Sequence, residues 1–90
     1  MMADRTQVER LLKTARGQLD GILKMVEENR YCMDISNQLL ATQSILAKTN
    51  RLVLQAHMEH CVHEAVASGD MQQADEKLKE LSSIMDKLLK

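Results

Sequence analysis

The chain has 90 residues, no Phe, Trp or Pro, a single Tyr, and a formal net charge of −1. Its length suits one small domain whose core must be aliphatic and methionine-rich, near the size at which a single core is only just adequate. The near-zero charge argues, on its own, against a nucleic-acid binder. Charges from Asp4 onward argue against a secretory leader, and no apolar run approaches the ~18 residues of a membrane span.

Strong helix formers throughout predict an all-α domain over residues 1–90. The expected compartment is the cytoplasm, where two cysteines point to metal or redox chemistry more than to a structural disulfide.

The first helix is predicted from Asp4 to Glu28. Val8, Leu11, Leu12, Ala15, Leu19, Ile22, Leu23 and Val26 follow the i, i+3, i+4, i+7 spacing of one buried stripe. Gly17 and Gly21 interrupt it, each at a cost of about 1 kcal/mol relative to Ala. That cost predicts the close approach of another helix. Arg5, Arg10, Lys13 and Arg16 lie on the less apolar side, either as a solvated charged face or as a stripe that contacts phosphates. Glu28–Tyr31 breaks the periodicity, with Asn29 as a left-handed terminator.

A second helix is predicted from Met33 to Ala67, opened by Cys32-Met33-Asp34 with Asp34 complementing the helix dipole. Cys32 at this N-terminus suits metal ligation or sulfur chemistry. From Ile35 to Ala47 there is no charged residue. A helix uncharged all round is normally buried all round, and one short chain cannot supply the cover. An obligate oligomer is expected.

Late in the same helix, His57 and Cys61 stand four residues apart, on one face with Cβ atoms roughly 5–6 Å apart. They can close on one metal ion. Cys32 lies 29 residues before Cys61, or about 43 Å along an unbroken helix. It therefore reaches the pair only from a second chain running antiparallel. That register puts the two-fold axis near Ile45 and Leu46, at the edge of the uncharged segment, and creates two equivalent sites per dimer.

Ser68-Gly69-Asp70 ends the second helix and starts the third. Gly69 is read as the stop, Asp70 as the N-cap and Gln73 as the far side of a capping box. Met71, Ala74, Leu78, Leu81, Met85 and Leu88 alternate spacings of three and four, the seam of a coiled coil. The seven methionines form no closely spaced box and read as core.

The alternative reading makes His57 a packed core histidine and Cys61 an inert buried thiol. The symmetric geometry favours ligation by Cys32, His57 and Cys61. Two thiolates and an imidazole form a soft three-ligand set that suits Cu(I), whereas structural Zn(II) normally takes a fourth ligand. His60 points about 100° away from Cys61, His63 lies farther round, and both are expected to be exposed. Tyr31, beside Cys32, is a candidate to orient the ligands. No Gly-rich phosphate loop or elbow serine is present, so neither an enzyme nor a small-molecule substrate is expected.

The segments Leu12-Lys13-Thr14-Ala15-Arg16-Gly17-Gln18-Leu19-Asp20-Gly21-Ile22 and Arg30-Tyr31-Cys32-Met33-Asp34-Ile35, with His57-x-x-x-Cys61, resemble the CsoR family of copper-sensing transcriptional repressors. The resemblance covers essentially the whole chain. It implies a three-helix protomer, an antiparallel four-helix-bundle dimer and a dimer of dimers. Cu(I) would be held by Cys32 of one chain with His57 and Cys61 of the other. The apo protein would bind operator DNA of copper-handling genes, and Cu(I) would release it. By position, Lys13, Arg16, Lys48 and Arg51 are the implied DNA contacts.

Two departures stand out. The third-helix Glu that supports the histidine in many members is replaced by Lys77, with Glu76 and Glu80 as candidate substitutes. Leu11 falls where some relatives carry a basic DNA contact. A persulfide-sensing repressor using Cys32 and Cys61, and a copper-binding buffer or interaction module without DNA binding, are the alternatives. Persulfide sensors of this family lose the histidine, so His57 favours copper.

Overall fold

The computed structural model describes residues 1–88 and forms three helices: α1 (Arg5–Glu27), α2 (Cys32–Ser68) and α3 (Met71–Leu88). The expected ends of the first two helices are met to within one residue. The chain divides into two compact units, Asp4–Asn50 and, with Met1–Ala3, the residues from Arg51 onward. α2 contributes to both.

In the first unit the local chemistry sets the ends of the helices. Asp4 caps α1 by accepting the Thr6 N–H at 3.0 Å. Asn29 adopts φ 55°, and the Asn29 and Arg30 N–H groups donate to the Val26 and Met25 carbonyls at 3.0 and 2.9 Å. That pair of bonds is a Schellman stop. The Tyr31 carbonyl then accepts the Asp34 and Ile35 N–H groups, which opens α2.

The stripe on α1 divides. Val8, Ala15 and Ile22 are buried and Leu11, Gln18 and Met25 half-buried, an alternating three–four seam. Leu12, Leu19, Leu23 and Val26 form a second row that stays exposed. On α2 the opposing seam holds Ile35, Thr42, Ile45 and Thr49, of which the two threonines are buried.

The polar atoms in this seam are satisfied. The Thr42 hydroxyl lies 2.9 Å from Gln18 Oε1 and 3.1 Å from the Gln38 carbonyl, and Thr49 donates to the Ile45 carbonyl at 2.8 Å. Leu39, Leu40 and Leu46, from the uncharged segment, remain exposed. Among the described residues no helix approaches Gly17 or Gly21 closely, since a Cβ at either would meet nothing within 4 Å.

In the second unit Gly69, at φ 69°, terminates α2 in the left-handed conformation that glycine adopts without steric cost. Asp70 Oδ1 accepts the Gln72 and Gln73 N–H groups, both at 3.1 Å. The expected capping box forms only in part. The Asp70 N–H donates to Ser68 Oγ at 3.2 Å instead of being capped by the Gln73 side chain.

The expected α3 seam is rotated. Leu81 is buried and Ala74, Lys77 and Ile84 half-buried, whereas Met71, Leu78 and Met85 are exposed. The seam position at Leu88 lies outside the described side chains. No helix among the described residues is long and apolar enough to cross a membrane.

Candidate metal centre

α2 presents His57 and Cys61 one turn apart because both sit on the side that packs within the second unit. Cys61 Sγ lies 3.5 Å from His57 Nε2. Both side chains are half-buried and line a groove of about 270 Å³ with Met58, Val62, Leu78 and Leu81. The groove is almost wholly apolar, so two donors face a space that gives them few other polar partners.

The separation fits a shared metal ion. For metal–sulfur and metal–nitrogen bonds of roughly 2.3 and 2.0 Å, a 3.5 Å separation of the donors closes a ligand–metal–ligand angle of about 110°. That angle serves a trigonal or a tetrahedral shell. Among the described residues, however, no group of three or more His, Cys, Asp or Glu side chains is arranged to hold a metal. The chain supplies a two-donor half-site.

Cys32 is a free, exposed thiol at the first position of α2, and is not gathered with the other two. Tyr31 beside it is 68% exposed. His60 is occupied by Glu64, with Nε2 and Oε1 3.0 Å apart, and His63 is exposed. On α3, Glu76 and Glu80 are exposed and do not line the groove. Lys77 does line it. The α3 seam read from periodicity centred on Leu78 and left Lys77 outside it; only the family resemblance had put Lys77 at the position that supports the histidine.

Lys13, Arg16, Lys48 and Arg51 are all exposed. None forms an ion pair among the described residues, whereas Arg5, Lys24, Arg30 and Lys79 are each paired with an acidic side chain. Arg10 and Lys13 line a shallow hollow with Thr6 and Thr14. Arg10 shares the exposure of the four and is likewise unpaired among the described residues.

Residues 4–87 match the family described as metal-sensitive transcriptional repressor. The chain is 49% identical over 67 residues to the copper-sensing transcriptional repressor CsoR of Mycobacterium ulcerans, a match covering 74% of this chain and 57% of that protein. It is 38% identical over 87 residues to CsoR of Bacillus subtilis, covering 97% of this chain and 83% of the relative. The chain thus spans little more than half the length of the mycobacterial relative.

Solved structures share its fold, among them two regulators. The nickel-responsive transcriptional regulator InrS superposes with a TM-score of 0.84 at 30% identity, covering 98% of this chain and 96% of that one. The copper-sensing repressor CsoR with Cu(I) from Geobacillus thermodenitrificans gives 0.80 at 35% identity, covering 94% and 85%.

Proposed function

The chain belongs to the family of metal-sensitive transcriptional repressors, and from that premise we propose that it is a Cu(I)-responsive repressor of copper-handling genes. The observation that carries the reading is the half-site: an imidazole nitrogen and a sulfur 3.5 Å apart, with no third ligand gathered in the same chain among the described residues. Cys32 of the partner subunit completes it. Residues 1–90 act as one sensing and DNA-binding domain in the cytoplasm. Relatives named as copper sensors, and a Cu(I)-containing neighbour, support copper over nickel.

The ion, when bound, supplies a soft cation that two thiolates and one neutral imidazole can share. His57 and Cys61 hold it from one helix, and Cys32 of the partner subunit closes the shell from the other. Tyr31, beside Cys32, is the side chain proposed to orient these ligands; Glu76 and Glu80 are exposed outside the groove and do not take that role. The exposed rows Leu12, Leu19, Leu23, Val26 and Leu39, Leu40, Leu46 are covered by other copies, in an antiparallel four-helix-bundle dimer and a dimer of dimers. Lys13, Arg16, Lys48 and Arg51 neutralise operator phosphates. Release follows from linkage, since copper weakens DNA binding only by favouring a state that binds DNA poorly.

The test is a DNA-binding titration with Cu(I), run beside copper affinity measured by chelator competition. His57→Ala should weaken the copper response more than copper uptake, because the two thiolates remain. Cys32→Ala and Cys61→Ala should damage both. Full release of DNA by the His57 variant, with sulfide donors achieving the same through a Cys32–Cys61 crosslink, would replace copper by persulfide as the inducer. Copper uptake without any operator binding would leave a metal buffer.

A further inference from the structure

Lys77 is the one charged side chain among those lining the groove with His57 and Cys61. It also borders a smaller recess beside Cys61, together with Glu64. Glu64 is engaged with His60 at 3.0 Å, and Lys77 has no ion pair among the described residues. Lys77 is half-buried, between Ala74 and Leu81 of the same groove. It lines the groove among apolar side chains, and no carboxylate oxygen lies within 4.0 Å of its ammonium among the described residues, Glu64 across the recess being turned to His60.

A charge count gives this position a consequence. Two thiolates and a neutral imidazole around a monovalent ion leave one net negative charge. Around a divalent ion they leave none. The free sulfurs are the same starting state for both ions, so their protonation cancels from the comparison. The two filled centres differ by one unit charge at one place. A nearby cation therefore favours the monovalent ion by one Coulomb term, even where it shifts both affinities.

The geometry points to Lys77 as a specificity-determining residue that biases the centre toward a monovalent soft ion over a divalent one. This rests on the reading of Cys32, His57 and Cys61 as the ligands. The apolar lining limits screening on one side of Lys77, and its half-exposure admits salt on the other.

The experiment measures Cu(I) and Zn(II) affinities of the full chain by chelator competition, for the wild type and for Lys77→Arg, Lys77→Met and Lys77→Glu. The ratio of Cu(I) to Zn(II) affinity should hold in Lys77→Arg. It should fall roughly tenfold in Lys77→Met, and by roughly tenfold again in Lys77→Glu, at low salt. Raising the salt should narrow these differences. Lys77→Met keeps an apolar stem, and circular dichroism confirms that each variant is helical.

An unchanged ratio in all three variants, with tight Cu(I) uptake dependent on Cys61, overturns the role of Lys77 and leaves the copper centre standing. A fall in Lys77→Arg as large as in Lys77→Met overturns it too, because charge would then not be the cause. Equal Cu(I) uptake by wild type and Cys61→Ala removes the centre itself, and the role of Lys77 with it.

Discussion

At the scale of single residues, the most informative side chain outside the metal centre is Thr42. Its hydroxyl is buried and lies within bonding distance of Gln18 Oε1 and the Gln38 carbonyl, although it has one proton to give. The pair puts a polar link between α1 and α2 into a seam that also holds Val8, Ala15, Ile22, Ile45 and Thr49. Thr42→Val should cost about 1 kcal/mol in denaturant unfolding, the net value of one such bond with Gln18 still able to reach water. Adding Gln18→Leu should recover part of that loss, since removing both partners leaves no unsatisfied group. A double variant no more stable than Thr42→Val alone would refute this account of the seam.

At the scale of elements, the three helices owe their ends to short-range chemistry. Asp70 is the clearest case, because one carboxylate oxygen accepts two N–H groups of α3. Asp70→Ala should destabilise the chain by about 1 kcal/mol, the usual worth of such a cap. Hydrogen exchange should localise the loss to the first turn of α3, leaving α1 unchanged. Met71, Ala74 and Lys77 line the groove from that end of α3. Fraying there should therefore lower metal affinity without touching a ligand.

At the scale of the whole molecule, the apolar surface left by one chain is the dominant fact. Leu40, Leu23 and Val26 are each more than half exposed, although they lie on helices that already pack against a neighbour. Contiguous apolar rows of this kind mark interaction surfaces. Sedimentation should find a tetramer, with a dimer as the smallest folded species. A folded monomer at micromolar concentration would remove the shared metal site along with the oligomer. Operator binding should weaken steeply with salt through released counterions. Replacing Lys13, Arg16, Lys48 or Arg51 with Ala should make the dependence of log affinity on log salt shallower, by about one for each phosphate that is no longer neutralised.

Much of this was legible in the sequence because it is local. Asp4, Asn29, Gly69 and Asp70 stop or start helices through bonds spanning two to five residues, and such bonds need no neighbouring element. The His57–Cys61 half-site is equally local, since an i, i+4 spacing on a helix brings two side chains together wherever that helix goes. Tertiary packing decided which apolar row is covered. α1 carries two rows at helical spacing, and only packing against α2 selects Val8, Ala15 and Ile22 over Leu12, Leu19 and Leu23. The same choice turned α3, so that Lys77 and Ile84 are half-buried while Met71, Leu78 and Met85 stay largely exposed, although Met71 and Leu78 still line the groove. Periodicity states which faces a helix owns; the angle at which a second helix docks, set by long-range packing, states which of them it buries.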